Sequence, residues 1–269
     1  MSFQLRSFGH VPGLIRRVLL WLLAGYLYAV GMLWYFQDDL ILPATRASAG
    51  PAALELAGHY VGEVHEPAGT SRATVVYFHG NGGTVSDRSF VWHMLNPLGY
   101  RVVLLEYPGY GARPGRARID EVVAPAIADF DRVRARYPGQ PIIVAGESFG
   151  AGVAAQVVGA RSKEVCGLVV VTPWDRLSEL VHEKLPIVPV RALLRTEYAS
   201  DLALQSYAGP LTIVAAGRDS VIPMHHAREL ADSHPGAQWV LLPGATHDSW
   251  PRMADGSTWK RWLPAGCVN

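Results

Sequence analysis

Ile142-Ile143-Val144-Ala145-Gly146-Glu147-Ser148-Phe149-Gly150-Ala151-Gly152-Val153-Ala154-Ala155 is the stretch on which the reading of this chain turns. Its first four residues form an apolar, β-branched run, and its last five are small and compatible with a helix. Between them stands Gly-x-Ser-x-Gly. A sharp strand-to-helix turn holds such a serine with its hydroxyl exposed, and glycine two places before and two places after leaves room for the crossing backbone. Glu147, at the variable position, is expected to orient or pack near the turn, because no catalytic task requires an acid there.

Working outward, similar short apolar runs recur at Thr74 to Phe78, Val102 to Leu105, Leu168 to Thr172, Leu211 to Ala215 and Trp239 to Leu242. Runs without in-out alternation mark strands buried on both faces of a parallel sheet. Segments of helical period separate them. Ile119, Val122, Val123, Ile127, Phe130 and Val133 form one, stopped by Pro138-Gly139, and Met224 to Ser233 forms another. The pattern predicts an α/β fold with a mostly parallel sheet and helices on both faces. In such sheets, ligands sit at the carboxyl ends of the strands.

The residues at those ends are rich in chemistry. A serine hydroxyl needs a base, and His247, just after the last run, is placed for that role. His225 and His226 fall in a helix and read as exposed or packed residues. Adjacent positions on a helix face different ways, which makes the pair poor metal geometry. The other histidines, His10, His59, His65, His93, His182 and His234, read as solvated or structural. The imidazole in turn needs an acid to fix its tautomer. Asp219, in Gly217-Arg218-Asp219-Ser220-Val221-Ile222-Pro223, is preferred over its rivals Asp175 and Asp248. An oxyanion hole requires two N–H donors. Phe149, after the nucleophile, should supply one, and the loop His79-Gly80-Asn81-Gly82-Gly83 the other, with Asn81 favoured over Gly80. Read as a phosphate loop the same segment fails, since no Gly-Lys-Ser/Thr follows and the third glycine of GxGxxG would fall on Val85.

Taken together, Phe78-His79-Gly80-Asn81, Gly146-Glu147-Ser148-Phe149-Gly150, the Asp219 segment and Gly244-Ala245-Thr246-His247 resemble the α/β-hydrolase superfamily, in which the triad runs Ser, Asp, His along the chain. Phe36-Gln37-Asp38-Asp39-Leu40-Ile41-Leu42-Pro43, after an apolar segment, looks like the small single-pass membrane branch that includes depalmitoylases and lysophospholipid lipases. The resemblance implies serine ester or thioester hydrolysis with no metal and no organic cofactor. One departure stands out: where the family often has Asp-Tyr-Arg-Gly-x-Gly-x-Ser, this chain reads Glu106-Tyr107-Pro108-Gly109-Tyr110-Gly111-Ala112-Arg113. The 38 residues from Thr172 to Gly209 are too few for a large cap domain. Trp174, Leu177 and Leu180 are therefore candidate substrate-lining residues of an open site, ordinary helix packing being the alternative.

Composition bounds the rest. Hydrophobic residues make up 49% of the 269 and charged ones only 17%, against about a quarter charged in a typical soluble domain, which excludes a disordered or coiled-coil chain. A net charge of +1 gives no footprint for nucleic acid. Cys166 and Cys267 are the only cysteines and stand in no metal-binding spacing; two thiols make no disulfide framework. Cys166 reads as a small buried apolar residue and Cys267 as part of a polar tail. Val18 to Phe36 is 19 residues without a charge, about 28 Å as a helix and enough to span a bilayer core. Trp21, Trp34 and Tyr35 sit near its ends; Arg6, Arg16 and Arg17 precede it; Asp38 and Asp39 follow. The positive-inside rule then keeps residues 1–17 in the cytoplasm, makes 18–36 the anchor and 37–55 a connecting segment, and puts a catalytic domain over 56–269 on the far side, periplasmic in a bacterium. A cleaved signal ending at Ala47-Ser48-Ala49 is the alternative, disfavoured by the length of the apolar segment; a buried helix of a soluble protein is the other. The expected partners are thus a small-molecule or lipid acyl ester and the membrane. A peptidase, or an anchored binding protein without catalysis, are the competing functions.

Overall fold

The structure is a computed structural model that describes residues 13–267, so Arg6 and His10 lie outside the described residues. The chain divides into two units at Gln37 and Asp38. The first contains helix α1 (Gly13–Tyr35), 23 residues with no buried side chain. At 1.5 Å per residue it is about 34 Å long, and by length and composition it can cross a membrane. Helix α2 (Gln37–Ile41) begins at the boundary.

The second unit is built on one eight-stranded sheet of order β1-β2-β4-β3-β5-β6-β7-β8. Its strands are β1 (Ala53–Leu56), β2 (His59–His65), β3 (Ala73–Phe78), β4 (Tyr100–Leu105), β5 (Ile142–Glu147), β6 (Gly167–Val171), β7 (Leu211–Ala216) and β8 (Gln238–Leu242). From β4 to β8 every neighbouring pair is parallel, while β1 and β2 form an antiparallel edge joined to β4. All six apolar runs read from the sequence are the six parallel strands. The edge hairpin is new.

Helices α3 (Ser89–Leu95), α4 (Val123–Arg136), α5 (Phe149–Ala160), α6 (Leu177–Lys184), α7 (Val190–Leu193), α8 (Ser200–Ala203), α9 (Met224–Asp232) and α10 (Gly256–Trp262) complete the unit. Two apolar clusters fill it. One joins Val76, Phe78, Val144 and Val170 to Phe130, Val153 and Val157, and the other joins Val75, Tyr77, Val102 and Val169 to Leu95, Trp259 and Trp262. Alternate residues of a single strand serve opposite faces, as the pleat requires, so the central strands must be apolar throughout.

Cys166 and Cys267 form a disulfide with their Cα atoms 5.5 Å apart. This corrects the reading of Cys267 as part of a solvated tail. The segment after α10 folds back so that Pro264 lies against Gly167, where an added Cβ would come within 2.2 Å of its ring. The first residue of β6 and the end of the chain are thereby brought together, a proximity that no local pattern encodes.

Candidate active site

The elbow after β5 is as strained as its sequence suggests. Ser148 has φ 52° and ψ −121°, a left-handed backbone angle that side chains other than glycine rarely adopt. The flanking glycines are obligatory here. A Cβ on Gly146 would approach the Gly150 carbonyl oxygen to 2.3 Å, and one on Gly150 would approach the Phe78 carbonyl oxygen to 2.1 Å. Strain at Ser148 is thus held by close crossing of β3 and the start of α5.

Three side chains from three strand ends converge. Ser148 Oγ donates to His247 Nε2 at 2.9 Å, and His247 Nδ1 donates to Asp219 Oδ2 at 2.8 Å. A carboxylate only accepts, so its contact fixes the proton on Nδ1 and leaves the Nε2 lone pair for the serine proton. Asp219 is itself positioned by its other oxygen, which accepts N–H groups from Val221 at 2.9 Å and Ile222 at 2.8 Å. Of the rival acids, Asp175 bonds His226 at 2.7 Å, and Asp248 lies on the wall of the cleft.

The cleft over Ser148 has a volume of about 410 Å³ and is walled by the Gly80 to Gly83 loop, Arg88, Phe90, Thr172, His247 and Trp250. Phe149 is the first residue of α5, where an N–H has no partner inside the helix. Asn81 is held from two sides: its Nδ2 donates to the Ile41 carbonyl at 2.9 Å, and its own carbonyl accepts the Tyr110 hydroxyl at 2.8 Å. The neighbouring Gly80 N–H is engaged by Glu147 Oε1 at 3.2 Å. Glu147 therefore does orient the elbow's surroundings.

Sequence reasoning missed Arg88. Its Nε donates to Glu147 at 2.5 Å and its Nη2 to the Gly82 carbonyl at 2.8 Å, so it ties the glycine loop to the elbow. The only advance signal is a basic residue a few positions past that loop. The departing segment Glu106 to Arg113 serves the same loop. Tyr107 donates to the His79 carbonyl at 2.6 Å, buried Glu106 contacts His79 Nε2 at 2.7 Å, and Glu106 also accepts the Val85 N–H at 3.2 Å.

Trp174, Leu177 and Leu180 are core residues and do not line the cleft, so the packing alternative holds for them. The Trp174 indole donates to the Tyr198 carbonyl at 3.0 Å and occupies the space left by Gly152, where an added Cβ would meet its ring at 2.6 Å. Apolar residues after a strand carry the same sequence signal whether they face substrate or core. His226 is buried, the packed alternative of its reading. Burial alone would depress its pKa, yet hydrogen bonding to Asp175 and attraction by Asp175 and Glu183 raise it above the usual histidine value.

Residues 69–194 match the family model described as serine aminopeptidase, S33. An uncharacterized protein of Mycobacterium tuberculosis is 31% identical over 192 residues, covering 70% of this chain and 67% of its own. The lysophosphatidylserine lipase ABHD12 of Mus musculus is 27% identical over 180 residues, 60% of this chain and 45% of that protein, so this chain matches less than half of the lipase. Among solved structures, Est1E of Butyrivibrio proteoclasticus with bound ferulic acid superposes with TM-score 0.65 at 16% identity, covering 78% of this chain and 96% of that one. A monoacylglycerol lipase of Paleococcus ferrophilus gives TM-score 0.57 at 17% identity over 74% of this chain and 95% of that one. The chain belongs to the α/β-hydrolase superfamily of serine hydrolases.

Proposed function

We propose that the protein is a membrane-anchored hydrolase of lipid or small-molecule acyl esters or thioesters, working through a covalent acyl-enzyme. The observation that carries this reading is the continuous chain of hydrogen bonds from Ser148 through His247 to Asp219 at the floor of an open cleft. Ser148 Oγ attacks the acyl carbonyl carbon while its proton passes to His247 Nε2. The carbonyl oxygen takes up negative charge facing the N–H groups of Asn81 and Phe149. Collapse breaks the bond to the leaving alcohol or thiol, which takes the proton from His247. Water, deprotonated by the same nitrogen, then releases the acid and restores Ser148.

The anchoring part of the proposal has two supports. Helix α1 is long and apolar enough to span, with Arg16 and Arg17 near one end and Asp38 and Asp39 after the other, which favours an N-terminus in the cytoplasm and the hydrolase unit opposite. The Cys166–Cys267 disulfide is the second, because such bonds persist outside the reducing cytoplasm. Protease added to the cytoplasmic side of sealed vesicles should spare the hydrolase unit; its digestion would reverse the orientation.

The test of substrate class is a panel of p-nitrophenyl and glycerol monoesters of increasing acyl length, assayed with the wild-type chain and Ser148→Ala. Ester turnover that disappears in the variant is expected. A peptidase is the second reading, favoured by the description of the matched family model; cleavage of aminoacyl amides with no turnover of any ester would establish it instead.

A further inference from the structure

A second constellation lies away from the cleft, between α6 and α9, in a surface cavity of about 580 Å³. Glu183 Oε2 sits 3.1 Å from His225 Nε2 and 3.2 Å from His226 Nε2. The two imidazoles, expected to diverge, instead have ring centroids 4.3 Å apart. Adjacent Cβ atoms do point different ways, but both rings reach one carboxylate on the facing helix. His226 is buried, and its Nδ1 lies 2.7 Å from Asp175 Oδ1.

This arrangement poses an electrostatic problem that a cation solves. A carboxylate accepts and never donates, so the Asp175 contact puts the His226 proton on Nδ1. In the neutral imidazole, Nε2 then presents a lone pair to the anionic oxygen of Glu183, and His225 Nε2 meets that same oxygen. Arg176, on the cavity wall, is committed to Asp201 at 2.7 Å and 2.9 Å. His225 can donate its own Nε2–H to Glu183, so the unfavourable contact is the one at His226 Nε2, and a second proton there or a metal ion shared by the three groups relieves it.

The geometry points to a divalent transition metal site, with zinc as its ion, held by His225 Nε2, His226 Nε2 and the Glu183 carboxylate. Zinc binds imidazole nitrogen at about 2.0–2.1 Å and carboxylate oxygen at about 2.0–2.2 Å in tetrahedral geometry, which sets ligand atoms roughly 3.3–3.4 Å apart. The two nitrogen-to-oxygen edges of 3.1 Å and 3.2 Å are already near that value. One ligand atom from each of the three residues lies within 4.8 Å of the others, and rotation of the exposed His225 can close the remaining edge. Asp175 is the outer carboxylate that orients a metal-bound histidine and raises its basicity. Two imidazoles favour zinc and its neighbours over calcium or magnesium, which prefer an all-oxygen set. The side chains of His225 and Glu183 are 53% and 42% exposed, so water has access to the fourth position. The ion would fasten α6 to α9, and α9 follows directly on the loop that positions Asp219.

The test is calorimetric titration of Zn²⁺ into the full chain in detergent, freed of metal by a chelator and carrying no polyhistidine tag. One ion per chain, a rise in Tm on loading, and the visible absorption of tetrahedral Co²⁺ on substitution are expected. His225→Ala, at an exposed position, and Glu183→Gln should each weaken Zn²⁺ binding at least ~10-fold, and Asp175→Asn by about 10-fold to 100-fold. Glu179→Gln, a carboxylate on the same helix that pairs with Arg191, should bind as wild type does. Absence of stoichiometric Zn²⁺ binding would overturn the inference, and so would binding that survives unchanged in both His225→Ala and Glu183→Gln.

Discussion

Converting Cys166 and Cys267 to serine removes a crosslink that closes a loop spanning a sequence separation of 101. In the chain-entropy account, a loop of this length restricts the unfolded state by about 4.7 kcal/mol at 25 °C, and measured disulfides more often return about 2–4 kcal/mol. For a domain of this size each kcal/mol moves Tm by about 2–4 °C, so the double variant should melt roughly 5–15 °C below the oxidised wild type. Cys267 is buried and Cys166 half-buried against the same apolar cluster, so the buried hydroxyl at position 267 adds a smaller penalty of its own. Separating the two effects needs a second comparison, wild type with and without reductant, which leaves the atoms of the core unchanged. The assay is thermal unfolding followed by circular dichroism, paired with thiol counting on the denatured, unreduced protein. Two free thiols in protein purified from an oxidising compartment would refute the pairing. A Tm unmoved by reduction, with the bond shown to be broken, would refute the argument from loop closure.

Gly150→Ala places a methyl group 2.1 Å from the Phe78 carbonyl oxygen, a backbone atom that cannot swing aside; a loss of about 3 kcal/mol or more in chemical denaturation is expected. Asp219→Asn keeps the shape but permits the wrong tautomer of His247, and kcat on a good ester should fall by about 10⁴-fold with little change in fold. Arg88→Ala should lower kcat by up to about 100-fold through a misplaced glycine loop, with partial recovery in Arg88→Lys and an unaltered pH profile, since the proton transfers do not pass through it. Asp255 caps α10, accepting from the Thr258 amide at 2.8 Å, and hydrogen bonds from Thr258 and Ser257 lower its pKa from 3.8 to about 2. A depressed carboxylate stabilises fully above its unfolded pKa and loses that contribution as pH falls through the folded one. The Tm gap between wild type and Asp255→Ala should therefore be constant above about pH 4 and close as pH approaches 2.

What was legible in the sequence follows from how local each signal is. Strands buried on both faces are mostly apolar, so β3 to β7 announce themselves as continuous runs; β8 carries the same signal but is the sheet's far edge, where Gln238 and Leu241 are exposed. The edge hairpin does not: β1 alternates exposed and buried residues over only four positions, and β2 contains His59, Glu63 and His65, with Glu63 buried by bonds to Ser86 at 2.6 Å and His65 at 3.1 Å. Tertiary partners, absent from any window of sequence, make that strand possible. The elbow and its glycines were legible because backbone crowding dictates residue type at fixed spacing. Arg88 and the tyrosines bracing the glycine loop were not, since a long side chain can reach the loop from many positions. Trp174 shows the opposite failure: an apolar residue at a strand end reads as a lining candidate, but the missing side chain at Gly152 creates a socket for it inside the core. Neighbouring Cβ directions say that His225 and His226 diverge, whereas the convergence of their rings depends on where α6 places Glu183.

The central claim, that Ser148 is an activated nucleophile served by His247, is tested most directly by labelling the purified chain with a fluorophosphonate and locating the adduct by peptide mass spectrometry. The account predicts one adduct, on Ser148, formed rapidly in wild type, much more slowly in His247→Ala and not at all in Ser148→Ala. An adduct on another residue, or labelling that persists when Ser148 is replaced, would contradict it.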